Sequence, residues 1–313
     1  MRIGIYGTGG LGGLIGARLA LAGEDVVFIA RGEHLRALRA QGLRLEGASG
    51  EHVIRPVAAT DDPAEAGVCD VVLVTTKTWQ VPEAARAMGP MLGPRTVVVP
   101  LVNGVEAPDQ LAEVLGRERV AGGLARVIAL RAGPGVIRHV GMEPACAVGE
   151  LDHRRTERME RLRAALERAG IRTEIPDDIH AALWAKFLFV VGWGAVGAVT
   201  RAPVGVLRAL PETRALLAQA MAEIEAVARA RRIALPEDIT PRTLAALDTL
   251  PPEGTASLQR DIAEGRPSEL EAWSGAVVRL GAEVGVPTPV HGFIHTALLP
   301  AERRARGEIA FPG

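Results

Sequence analysis

Arg2-Ile-Gly-Ile-Tyr6 runs directly into Gly7-Thr8-Gly9-Gly10-Leu11-Gly12, and the reading of this junction decides the fold. Beyond it, Leu14, Ile15, Ala17, Leu19, Ala20 and Leu21 recur at helical spacing, and Gly23 closes the pattern. A second apolar run, Val26 to Ala30, stops at Arg31. Strand, glycine loop, helix and strand is the context in which G-x-G-x-x-G signals a dinucleotide site. Gly7 allows the tight turn, Gly9 lets a pyrophosphate approach the backbone, and Gly12 lets the helix pack close to the strand. Thr8, Gly10 and Leu11 complete the loop. Its N–H groups, at a positive helix end, suit phosphates.

Arg31 refines the reading. An NAD site ends its second strand with an acid that holds the ribose 2′-hydroxyl, whereas a 2′-phosphate calls for a cation. Here the strand ends in Arg31-Gly32, with no acid before Glu33. A guanidinium grips phosphate with two parallel bonds. NADP(H) is therefore the expected cofactor.

The composition sets bounds. The chain has 313 residues, 48% of them apolar, and a formal charge of −1. No basic field for nucleic acid or an anionic membrane surface is implied. The N-terminus does not read as a signal peptide. The longest apolar candidate, Phe187 to Val199, reads as short and broken by glycines, so no transmembrane segment and a cytoplasmic location are expected. Cys69 and Cys146 lack metal or redox spacing and read as small buried hydrophobes. Of 36 basic residues only Lys77 and Lys186 are lysine, and Asn103 is the sole asparagine. Arginine cannot release its proton near neutral pH but lysine can, so the two lysines are candidates for proton chemistry or a point contact.

In chain order, Arg44 to Val57 reads as two short strands around Gly47-Ala48-Ser49-Gly50. Cys69 to Thr76 is a continuous apolar run, the signature of a buried parallel strand. It ends at Thr76-Lys77-Thr78-Trp79-Gln80, which puts Lys77 and Gln80 at a strand's carboxyl end, where open α/β sheets bind ligands. A helix over Val81–Met91 and a strand over Thr96–Leu101 follow, and Asn103-Gly104 comes next. Val120 to Gly149 reads as antiparallel strands that turn at Gly133-Pro134-Gly135 and close the sheet. Helix Glu157–Ala169 and a strand at Ile171–Ile175 complete an α/β half.

Pro176-Asp177-Asp178 opens a helical half. The helix from Ile179 carries Lys186 among Trp184, Phe187, Phe189 and Val190, so its amine is partly desolvated and its pKa drawn down towards the working range. Lys186, Val190 and Gly194 share one helix face. Pro203 and Gly205 break the pattern before a helix over Glu212–Arg231. His291 and His295 have metal-like spacing, but no acid lies between them and no third ligand is evident, so no metal is expected. The fold class is α/β: a Rossmann-type dinucleotide-binding domain over residues 1–175 and an all-helical domain over 176–313.

The arrangement resembles the ketopantoate reductase (2-dehydropantoate 2-reductase) family along essentially the whole chain. The carrying pieces are Gly7-x-Gly9-x-x-Gly12, Arg31-Gly32, Lys77 with Gln80, Asn103-Gly104, Trp184-x-Lys186, Ser257 with Gln259-Arg260-Asp261-Ile262, and Glu269. The resemblance implies NADPH and a small 2-keto acid held between the two domains, and reduction of ketopantoate to pantoate for pantothenate biosynthesis; the apolar C-terminal helices make a homodimer the expectation. It makes Lys186 the general acid and Glu269 the group that orients it and contacts the substrate hydroxyl. Ser257 then holds the carboxylate, Asn103 bridges cofactor and substrate, and Lys77 lies beside the cofactor. One departure stands out. Where the family commonly has two asparagines that bind ketopantoate, this chain has Val190 and Gly194, which makes a more apolar 2-keto acid credible while ketopantoate stays the first expectation. A related hydroxy-acid or opine-type dehydrogenase and a non-catalytic NADP(H)-binding regulator are the alternatives.

Overall fold

A computed structural model describes residues 1–48 and 50–311; Ser49 of the expected Gly47–Gly50 turn lies outside the described residues, as do Pro312 and Gly313. The chain forms two compact units, Met1–Ile179 and His180–Gly313, where the sequence reading places the boundary after Ile175. The first unit begins β1 (Arg2–Tyr6), α1 (Gly10–Leu21), β2 (Asp25–Ile29), α2 (Gly32–Gln41), β3 (Leu43–Gly47), β4 (Gly50–Ile54), β5 (Ala58–Thr60) and α3 (Pro63–Ala66). It continues β6 (Cys69–Val74), α4 (Val81–Ala87), β7 (Leu92–Pro100), α5 (Ala107–Leu115), β8 (Ala121–Gly133), β9 (Val136–Glu150), α6 (Glu157–Arg168) and β10 (Arg172–Glu174).

Five strands pair in parallel in the order β5-β2-β1-β6-β7. Successive strands step to one side of β1 and then restart on its other side with β6. The carboxyl ends of β1 and β6 therefore flank a topological switch point, where sheets of this kind bind ligands. Helix α1 is apolar apart from Arg18 because it is covered on both sides. On one face Gly16 lies against Phe28 and Ile5, and on the other Gly13 lies against Ile137 of β9.

That second cover corrects one expectation. The strands over 120–149 do not close the first sheet. They belong to a second one, ordered β10-β9-β3-β4, with β8 paired antiparallel to β9. Among the described residues β8 is linked to the first sheet by a bridge between Val98 and Val120. Gly123 then packs close on Val99 and Leu101. The helix expected over Val81–Met91 also ends early. After Ala87 the chain tightens into a 3₁₀ turn at Gly89–Met91, because Pro90 cannot continue an α-helix. Cys69 and Cys146 are buried, and burial pushes the Cys69 thiol up to about 11.

The second unit is helical among its described residues: α7 (Ile179–Thr200, its first residue in unit one), α8 (Val204–Ala209), α9 (Pro211–Ala230), α10 (Ile239–Asp248), α11 (Ser257–Ala263), α12 (Ala276–Glu283) and α13 (Pro289–Ala305). Here the reading of the α7 stretch as short and broken by glycines is overturned. At 22 residues and a mean hydropathy of 1.7, α7 is long and apolar enough to cross a membrane by length and composition. Its glycines do not interrupt it. Gly192 faces Met221 and Gly197 faces Gln259 so closely that a Cβ would overlap them, and 67% of the apolar window is buried within the fold.

His291 is fully buried in this unit and His295 is not its partner. His291 Nε2 donates to the Ala220 carbonyl at 3.0 Å and Nδ1 lies 3.2 Å from the Ser274 hydroxyl, whereas His295 pairs with Glu271 at 2.8 Å. No group of three or more His, Cys, Asp or Glu able to hold a metal ion occurs among the described residues. Burial pushes the His291 pKa down to about 4. Above pH ~6.5 the imidazole is neutral folded or unfolded. As pH falls towards 4, only the unfolded chain takes up the proton, so stability is lost. Denaturant melts should show a loss of about 2 kcal/mol from pH 7 to pH 5 at this site. A His291→Gln variant whose pH dependence matches the parent's would contradict that assignment.

Candidate active site

In the first unit the glycine loop leaves β1 at the switch point. Gly7 has φ +104°, a conformation open to glycine, and its N–H and that of Thr8 both donate to the Ile29 carbonyl. The Thr8 hydroxyl donates to the same carbonyl at 2.9 Å, so its side chain fixes the loop to β2 and does not face outward. Gly12 is the tight point. A Cβ there would lie 2.3 Å from Thr75 Oγ1 and 2.4 Å from the Gly7 carbonyl, and Thr75 Oγ1 itself donates to that carbonyl at 2.7 Å. At Gly9, which caps α1, a Cβ would meet nothing within 4 Å. The loop is thus packed on its inner side and at Gly10, where a Cβ would meet the Ala129 carbonyl of β8, and is open at Gly9. That is the shape a pyrophosphate on a helix N-terminus requires.

The strand ends supply the remaining groups of this unit. Arg31 caps α2 at the end of β2, is exposed, and reaches Glu83 of α4 at 3.2 Å. Burial pushes the Tyr6 hydroxyl pKa up, while the nearby Arg31 pulls it down. After β6, the Lys77 N–H donates to Gln80 Oε1 at 3.2 Å, which shapes the turn, and the Lys77 ammonium lies 5.7 Å from the Trp79 ring centre. Asn103, half-buried, follows β7 and precedes Gly104 at φ +92°. The loop, Arg31, Lys77, Gln80 and Asn103 therefore all stand at carboxyl ends of one parallel sheet.

In the second unit Lys186 is half-buried on α7 beside Trp184 and Phe187, whose rings meet edge to face at 5.7 Å. Val190 is half-buried and Gly194 fully buried on the same face. Ser257 opens α11 and is half-buried. Its neighbours in the motif are braces. Gln259 Nε2 donates to the Ala202 carbonyl at 3.0 Å, Arg260 holds the Thr255 carbonyl and hydroxyl, and Asp261 receives Arg266 at 2.8 Å. Glu269 is 6% exposed, and its carbonyl accepts from Ala272 and Trp273 at the start of a π-helical turn over Glu271–Gly275. Turns of that kind concentrate at functional sites.

Sequence reasoning missed what fixes Glu269. The preceding residue, Ser268, is fully buried. Glu302 of α13 accepts from its N–H at 3.0 Å and its hydroxyl at 2.5 Å. Arg306 donates to the Ser268 carbonyl at 3.0 Å and to Glu302 at 2.6 Å. A buried carboxylate persists only with such partners. The i, i+4 pairing of Glu302 with Arg306 was the one local signal available.

Two family models cover most of the chain: "Ketopantoate reductase PanE/ApbA" matches residues 3–153 and its C-terminal counterpart matches 178–302. The chain belongs to the ketopantoate reductase family. It is similar to the 2-dehydropantoate 2-reductase of Mesorhizobium japonicum, with 31% identity over 92% of this chain and 94% of the relative. The solved ketopantoate reductase of Ralstonia eutropha JMP134 is 33% identical, with a TM-score of 0.89 over 98% of this chain and all of the other. The 2-dehydropantoate 2-reductase of Geobacter metallireducens GS-15 is 31% identical, with a TM-score of 0.90 over 96% of this chain. The chain is an oxidoreductase of this family, built as an N-terminal dinucleotide-binding unit and a helical second unit.

Proposed function

We propose that this member of the ketopantoate reductase family reduces a 2-keto acid of the ketopantoate class to the 2-hydroxy acid, with NADPH as the reductant. The observation that carries the reading is the loop Gly7–Gly12 at the switch point, packed at Gly12 and open at Gly9. Backbone N–H groups of Gly10, Leu11 and Gly12 would hold the pyrophosphate, and Arg31 the 2′-phosphate. Lys77, Gln80 and Asn103 flank the same edge. NADPH, when bound, supplies the hydride that the keto carbon accepts.

The remaining chemistry belongs to the second unit. Ser257 donates to the substrate carboxylate. Lys186 donates its proton to the carbonyl oxygen as that oxygen gains charge, and its cation stabilises the same charge beforehand. Glu269 holds the ammonium towards the substrate. The half-buried setting of Lys186 beside Trp184 and Phe187 supports this role, because it brings the amine out of bulk water towards a site where a substrate oxygen would lie. The test is product analysis. One 2-hydroxy acid should form per NADPH oxidised, and NADPH binding with no oxidation by any 2-keto acid would leave a binding-only regulator.

Cofactor choice gives its own prediction. The Arg31–Glu83 pair is exposed on both sides and so contributes little. Turning Arg31 to a 2′-phosphate therefore costs little and gains a charge-assisted contact. Arg31→Ala should weaken NADPH by ~10-fold or more while NADH changes far less. Titrations showing equal losses for both nucleotides would remove Arg31 from the site.

A further inference from the structure

We infer that His34 is a positioning residue for the cofactor. It ties the turn between β8 and β9 to the first turn of α2, and so fixes Arg31 at the distance from the glycine loop that a 2′-phosphorylated dinucleotide spans. This rests on the reading of the loop and of Arg31 as two anchors of the NADPH site.

The start of α2 is weakly held from within. Thr8 fastens the glycine loop to the Ile29 carbonyl, but the chain then runs on to Arg31 and over Gly32 at φ +60°. The Arg31 side chain does not cap α2, and the Leu35 N–H reaches the Arg31 carbonyl only at 3.4 Å. The backbone alone therefore leaves the Arg31 turn loosely set. His34, in that same turn, is 5% exposed, and its Nδ1 accepts the Gly135 N–H at 3.0 Å. The ring proton then stands on Nε2. Nε2 is buried without a hydrogen bond of normal geometry among the described residues, and the ring lies near the Thr8 backbone. Burial, and after it the Arg131 guanidinium, hold the His34 pKa below its ordinary value, so at neutral pH the ring is neutral and Nδ1 remains an acceptor.

The hairpin on the far side of that bond is itself fixed. Gly135, at φ +75°, accepts the Arg44 N–H of β3 on its carbonyl at 2.8 Å while its own N–H goes to His34. The same hairpin lies on the glycine loop and the helix behind it. A Cβ at Gly10 would overlap the Ala129 carbonyl of β8, and one at Gly13 would overlap Ile137 of β9. The β8–β9 hairpin thus touches both anchors of the nucleotide site, the loop by close packing and the Arg31 turn through one hydrogen bond. Loss of the His34 acceptor leaves the Gly135 N–H buried and unpaired and frees the Arg31 turn. A ligand held by the loop alone is little affected. One that bridges the loop and Arg31 must order that turn again as it binds.

The test is equilibrium titration of the full chain with NADPH and with NADH. His34→Leu keeps the bulk and removes the acceptor, and should weaken NADPH by ~10-fold but NADH by less than ~3-fold. His34→Asn, whose Oδ1 can take the Gly135 N–H, should regain most of the NADPH affinity. In an Arg31→Ala background, His34→Leu should weaken NADPH by less than ~3-fold, because the two residues act through one contact. Unchanged NADPH affinity in His34→Leu, equal losses for NADPH and NADH, or the same loss with and without Arg31 would overturn the inference and leave the NADPH reading standing. An Arg31→Ala protein that binds both nucleotides as the parent does removes Arg31 from the site and the inference with it. If His34→Leu does not fold, the parent protein carries the test by hydrogen exchange. NADPH should then slow exchange of the Gly135 amide more than NADH does, and equal protection overturns the inference.

Discussion

Lys186→Ala is expected to lower kcat by ~100-fold or more while leaving NADPH affinity nearly intact, because general acid catalysis contributes on that scale. The split follows from where the residue stands. Lys186 lies on α7 in the second unit, whereas the glycine loop and Arg31 lie in the first. Removing the amine takes away the proposed proton donor and the cation beside the developing oxyanion, and touches none of the proposed phosphate contacts. Lys186→Arg separates those two contributions. A guanidinium keeps the positive charge but cannot give up its proton near neutral pH. It should therefore recover only part of the loss. Wild-type turnover in the alanine variant would remove Lys186 from the chemistry.

Gly12→Val should be the most disruptive change in the first unit. A Cβ at this position falls 2.3 Å from Thr75 Oγ1, 2.4 Å from the Gly7 carbonyl and 3.0 Å from Ile5 Cγ2. Two of these atoms form the 2.7 Å hydrogen bond that joins the loop to the end of β6. The valine must push α1 away from β1 or break that bond. Overpacking of this kind costs about 1–3 kcal/mol, and here the upper end is expected because the clash is with backbone and a hydrogen-bonded hydroxyl. Denaturant unfolding should show that loss, and NADPH titration should show binding abolished or severely weakened. Full stability with unchanged binding would mean that α1 does not pack on this loop as described.

Much of this was legible in the sequence, for identifiable reasons. A parallel strand buried on both faces reads as an unbroken apolar run, so Arg2–Tyr6, Val26–Ala30 and Cys69–Thr76 announced themselves. Gly7 and Gly12 of the loop were legible because a turn and a close approach require them. The rest depended on residues far apart in the chain. The Gly133-Pro134-Gly135 turn marks a pair of strands over 120–149 but does not name their other partners, and β9 pairs with β3 and β10 instead of the first sheet. The glycines of α7 read as breaks because composition does not reveal Met221, Trp273 and Gln259 lying over them. The hold of Glu302 on Ser268, and the approach of Trp273 to Gly194, likewise join segments that no local pattern connects.

The measurement that tests the account most directly is NADPH oxidation with ketopantoate and a panel of more apolar 2-keto acids, with the hydroxy acid product identified. The account predicts steady turnover with at least one of them, one hydroxy acid per NADPH consumed. NADPH that binds yet is oxidised by none of the panel would contradict it.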